Sequence, residues 1–95
     1  MKQRATDWEP TKLELLKDPE VAQGYIQACL EEGVPLQEAL GAVIRAQGLT
    51  KVAGKTRLAV PNVIRAVRKG ANPTFDTLQR LLFGVGLDIS VRLRK

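Results

Sequence analysis

Between Gly48 and Asn72 the chain reads GLTKVAGKTRLAVPNVIRAVRKGAN, a pattern of two short helices joined by a tight turn. Lys51, Lys55, Arg57, Arg65, Arg68 and Lys69 lie within it and Arg45 just upstream, while no acid occurs between Ala39 and Phe75. A helix-turn-helix carrying charge of one sign suits a phosphate backbone. Such a unit constrains the rest of the molecule. Its second helix must be pinned to a body on one side and left free on the other.

Length and composition narrow the possibilities further. A chain of 95 residues with 44% hydrophobic content suits one globular domain. Its four aromatics are Trp8, Tyr25, Phe75 and Phe83, so the core is expected to be aliphatic. Cys29 is the sole cysteine and histidine is absent. An internal disulfide, a Cys/His metal cluster and a Ser–His–Asp or Cys–His nucleophile are therefore excluded. Paired carboxylates such as Glu31 and Glu32 have no site around them, and no phosphate-binding glycine loop occurs. Neither an enzymatic activity nor a metal or other cofactor is expected. No apolar run approaches the ~20 residues of a membrane span, and MKQRATDWEP lacks the apolar stretch of a secretory signal. The expected location is cytoplasmic, in association with the nucleoid.

Charge is unevenly distributed. Residues 1–38 hold four bases and eight acids, a balance of −4, and residues 39–95 hold eleven bases and two acids, a balance of +9; together these give the net +5. The split suggests two jobs, a basic face for an anionic polymer and an acidic end for another partner.

Along the chain, residues 1–17 form a weakly patterned N-terminal segment in which Trp8, Leu13, Leu15 and Leu16 could dock on the body or meet a partner. Residues 18–95 form the domain. Asp18-Pro19-Glu20 starts a helix, with Val21, Ala22, Tyr25, Ile26, Cys29 and Leu30 on its buried face and Gly33 just past its end. A second helix begins near Pro35 and ends at Gln47-Gly48. The third, capped by Thr50, covers Lys51–Thr56, and the fourth runs from Val60 to Arg68. Thr74 caps a fifth over Phe75–Val85, with Phe75, Leu78, Leu81 and Leu82 as its core face and Gly84 and Gly86 as its end. Leu87, Ile89, Val91 and Leu93 then alternate with polar residues, as in a strand over 87–93. A lone strand leaves its backbone edges unpaired, so pairing with a second copy across a two-fold dimer is expected.

Within the helix pair, Ala53 and Gly54 supply small residues for close approach, Leu58 anchors the turn, and Val63 and Ile64 hold the second helix to the body. Thr50, Lys51, Lys55, Arg57, Arg68 and Lys69 are the candidate phosphate contacts. Val60, Pro61, Asn62 and Arg65 are the candidate base-reading surface: Asn62 suits adenine, Arg65 suits guanine, and Val60 and Ala66 suit thymine methyls.

GLTKVAGKT-RLAVPNVIRAV, the following GANPTFDTLQRLLFGVGLDISV and the leading WEPTKLELLKDPEVAQGYIQACLEEG together resemble addiction-module antidote proteins, the HigA-type antitoxins with an Xre/Cro-type helix-turn-helix. The resemblance covers about residues 7–93, and NPTFDTL is its most specific part. It implies an all-α, five-helix, lambda-repressor-like domain with a C-terminal dimerisation strand. It also implies an antitoxin that neutralises a cognate toxin, often a ribosome-dependent mRNA endonuclease, and represses its own operon by binding operator DNA as a dimer. By position, Thr50 and Lys51 match the start of the positioning helix, Val60, Pro61, Asn62 and Arg65 the recognition surface, and Leu87–Leu93 the strand.

The chain departs from the family pattern at three places. Arg57 stands at a turn position that favours glycine, Ala59 stands where a serine cap is common, and Val60-Pro61 follows where polar residues are usual. An Xre-type regulator without a toxin, or an interaction module that no longer binds DNA, remains open on these residues.

Overall fold

A computed structural model describes residues 10–92 and 94 of the chain, with side chains from Leu13 onward. Over this range the elements are α1 (Pro10–Leu15), α2 (Pro19–Glu31), α3 (Leu36–Gln47), α4 (Leu49–Thr56), α5 (Val60–Val67) and α6 (Phe75–Gly84). Local chemistry sets several of these boundaries. Asp18 caps α2 by accepting a hydrogen bond from the Glu20 N–H at 3.0 Å, with Pro19 opening the helix. Thr74 caps α6 by accepting from the Thr77 N–H at 3.2 Å. α4 begins earlier than the sequence suggests, at Leu49, with Gly48 as its N-cap at φ 112° and no side-chain cap. Thr50 therefore lies inside the first turn rather than capping it.

One device ends three of the helices. A left-handed residue reverses the chain, and the N–H after it reaches back to a carbonyl five residues earlier. Val34 donates to the Cys29 carbonyl at 2.9 Å past Gly33, Leu58 to Ala53 at 3.3 Å past Arg57, and Leu87 to Leu82 at 2.8 Å past Gly86. The next apolar side chain, Val34, Leu58 or Leu87, is thereby returned to the core.

α3 is the central helix. It packs against α1, α2, α4, α5 and α6, and Ala39, Leu40, Ala42, Val43 and Ile44 on it are all buried. Residues 10–17 share this core, with α1 against α3 and Leu16 buried. Ala22, Ile26 and Cys29 of α2, Val52 and Ala53 of α4, Val63 and Val67 of α5, and Leu81, Leu82 and Val85 at α6 complete it. The core is aliphatic, as the scarcity of aromatics requires.

The expected C-terminal strand is absent among the described residues. Residues 87–92 are irregular; Leu87 and Ile89 pack part-buried on the core, while Val91 is 93% exposed. Alternation alone does not make a strand when no second strand accompanies it among the described residues. Leu93 and Trp8 lie outside the described residues. Among the described residues the helix count also differs: α1 makes six where five were expected. Val21, Leu30, Ile64 and Phe75, read from spacing as core, are exposed. Each sits at the margin of its helix's apolar arc, where burial depends on a neighbouring element.

Candidate nucleic-acid interface

The acid-free segment folds as α4, a three-residue connection (Arg57, Leu58, Ala59) and α5, with both helices packed on α3 and on each other. Val52, Ala53 and Thr56 pin α4 to the body, and Val63 and Val67 pin α5. Thr56 also builds the turn. Its hydroxyl donates to the Ala53 carbonyl at 2.9 Å and accepts from the Leu58 N–H at 3.3 Å. Thr50, Lys51, Lys55, Arg57, Pro61, Asn62, Arg65, Arg68 and Lys69 are all exposed. Val60 is part-buried and packs on the core, as does Ala66, so neither presents a full side chain outward. Ile64, expected inside, is 48% exposed and takes the outward apolar place on α5.

The exposed cations fall into groups. Asn62, Arg65, Arg68 and Lys69 line a shallow concavity completed by Leu58, the loop 70–73, and Thr74 and Thr77 at the start of α6. Lys55 and Arg57 share a second concavity with Gln79, Arg80, Phe83 and Asp88 on the other side of the connection. Lys51 lines neither concavity. The salt bridges among the described residues are Lys17–Glu14 and Arg80–Asp76, so every cation of the α4–α5 unit is without a salt-bridge partner among those residues. Unneutralised cations on one short unit give a positive field that acts on polyanions.

Two long-range side-chain contacts position this surface. The Gln37 side-chain amide donates to the Ala71 carbonyl at 2.8 Å, tying the loop after Lys69 to α3. The Gln47 amide donates to the Val85 carbonyl at 3.0 Å, tying the end of α3 to the end of α6. Both glutamines lie on the helical register of α3 beside its apolar stripe. A polar residue at such a margin is the one signal the sequence offers.

Glycine roles are redistributed. A Cβ on Gly54 would meet nothing within 4 Å, so Gly54 is not the point of close approach. That point is Gly84, where a Cβ would lie 2.7 Å from Thr56 Cγ2 and 3.2 Å from Val52 Cγ1. α6 thus packs directly on the inner face of α4.

The connection itself carries two local costs. Arg57 is left-handed (φ 62°, ψ 27°), and Ala59 caps α5 without a side-chain hydrogen bond. Arg57→Gly is expected to stabilise the domain by ~1 kcal/mol, and Ala59→Ser by a similar ~1 kcal/mol, each measured by thermal unfolding. In the first case the gain comes with the loss of one cation, so Arg57→Gly should weaken polyanion binding while Ala59→Ser should not.

Fold and surface together define a small helical domain with an exposed cationic helix pair on its face. A family model described as probable addiction module antidote protein matches residues 9–93. This chain belongs to that family, and its role is that of an antidote in an addiction module, with a toxin as its counterpart. No curated protein and no solved structure matches the chain. Among the described residues no helix is long and apolar enough to cross a membrane, and no group of three or more His, Cys, Asp or Glu is placed to hold a metal ion.

Proposed function

We propose that this antidote is a HigA-type antitoxin with an Xre-type DNA-binding unit: it neutralises a cognate toxin, an mRNA-cleaving endonuclease, and represses its own operon by binding operator DNA as a homodimer. It acts by binding alone and catalyses nothing. The observation that carries the DNA part is the α4–α5 unit, whose two helices are pinned inward by Val52, Val63 and Val67 while its cations stand free in solvent. In this reading α5 enters the major groove. Asn62 and Arg65 read base edges, and Pro61 and Ile64 offer apolar contact to thymine methyls. Thr50, Lys51, Lys55, Arg57, Arg68 and Lys69 grip the flanking phosphates. Two copies present their α5 helices about 34 Å apart, one turn of the duplex.

The toxin part draws on the acidic N-terminal third of the chain. Glu14, Asp18, Glu20, Glu31 and Glu32 are exposed on and around α1 and α2, away from the cationic unit in sequence and sign. An acidic surface complements a basic toxin and speeds its capture.

The test is fluorescence anisotropy on the DNA upstream of the protein's own gene. Five cationic phosphate contacts in each copy, ten in the dimer, predict that log K falls with log salt at a slope of about −9. Asn62→Ala or Arg65→Ala should each cost ~1–3 kcal/mol on the native sequence and little on a scrambled one. Binding that ignores both salt and sequence would end the operator reading. Retained toxin neutralisation would then leave the antidote role standing alone.

A further inference from the structure

Both phenylalanines of the chain are on α6, and both stand in water: Phe75 is 63% exposed and Phe83 71%. They are spaced i and i+8 with Gln79 midway, which sets all three on one side of the helix, opposite the buried Leu81 and bordering the buried Leu82. Asp76 and Arg80 flank this stripe and pair with each other at 3.1 Å while more than half of the aspartate and half of the arginine remain exposed. Phe83 also walls the concavity whose other sides include Lys55, Arg57 and Asp88. Two large aromatic faces on one stripe mark an interface rather than a solvated surface.

We propose that a second copy of this chain covers the stripe, with α6 packed antiparallel on its twin about a two-fold axis through Gln79. Phe75 and Phe83 each lie four residues, or ~6 Å of helical rise, from Gln79. The two-fold therefore sets Phe75 of one copy level with Phe83 of the other, twice, beside the concavity that can receive it. Charge selects the same arrangement. Antiparallel packing brings Asp76 of each copy within two residues, ~3 Å along the axis, of Arg80 of the other, and carries Asp76 toward Lys55 and Arg57. A parallel pair would set Asp76 on Asp76 and Arg80 on Arg80. A basic toxin would meet Lys55, Arg57 and Arg80 here, which directs that partner elsewhere. The assignment rests on the dimeric reading above and gives it the interface that a C-terminal strand does not provide.

Multi-angle light scattering on the full chain tests it. Wild type should run at twice the monomer mass of 10.4 kDa. Phe75→Ser and Phe83→Ser should each weaken self-association at least tenfold with helicity unchanged by circular dichroism, since both side chains are exposed. Asp76→Arg should weaken it, and Asp76→Arg with Arg80→Asp on the same chain should restore it. Gln79→Cys should link two copies on mild oxidation. A dimer indifferent to all these changes, and not linked through residue 79, would overturn the assignment and leave the dimeric reading intact. A monomeric wild type would overturn both, and so would a monomer whose α6 is protected only when toxin is added.

Discussion

Gly84→Ala should lower the melting temperature by roughly 10 °C, equivalent to about 2 kcal/mol in a domain of this size. The added Cβ would sit 2.7 Å from Thr56 Cγ2 and 3.2 Å from Val52 Cγ1. Neither neighbour yields readily. Val52 is fully buried, and Thr56 is held by its hydroxyl bond to the Ala53 carbonyl at 2.9 Å. Relief must come from moving α6 off α4, which would also disturb Thr56, the residue that shapes the turn into α5. Gly84→Val should be worse still. Gly54→Ala is the matching control: it adds the same methyl to the exposed side of α4, with nothing within 4 Å. That change should stabilise by ~0.5–1 kcal/mol, because glycine inside a helix is costly relative to alanine. Thermal unfolding of the two variants checks both signs together.

Reversing three cations, Lys51→Glu, Arg57→Glu and Lys69→Glu, should abolish operator binding without unfolding the domain. All three side chains are exposed and none is in a salt bridge with a described residue, so the cost in stability should stay within about 0.5 kcal/mol for each. Removing three phosphate contacts from each copy of the dimer reduces the magnitude of the salt slope by about 5.4, and the new carboxylates repel the duplex in addition. The affinity at physiological salt should fall at least about a hundredfold. The same triple variant should still bind and neutralise toxin, because the acidic surface of α1 and α2 is untouched. Separable loss of one function distinguishes two working surfaces from one shared surface.

How far the sequence spoke depended on how local each determinant was. The Asp18-Pro19 and Thr74 helix starts, the Gly33 stop and the α4–connection–α5 order were all readable, because each rests on a few neighbouring residues. The exposed cations were readable for the same reason: charged groups stay in water. What failed depended on partners far along the chain. Ile64 and Phe75 fit a helical apolar period, yet no element among the described residues covers them. Gly54 and Gly84 are indistinguishable by type, and only the crossing of α4 and α6 tells which one must be small. The 87–92 alternation looked like a strand, but the Gly86 reversal folds Leu87 back onto the core and no second strand is present to pair with it among the described residues. Gln37 and Gln47 make their bonds across 34 and 38 residues of sequence, beyond any local pattern.

Every other role proposed for this chain depends on the pairing of antidote and toxin. The most direct measurement is growth of cells expressing the toxin-like product of the neighbouring gene, with and without this chain. Growth should be restored by the wild type, and equally by the Lys51→Glu, Arg57→Glu, Lys69→Glu variant that no longer binds its operator. Continued growth arrest in the presence of stably expressed wild-type protein would contradict the account.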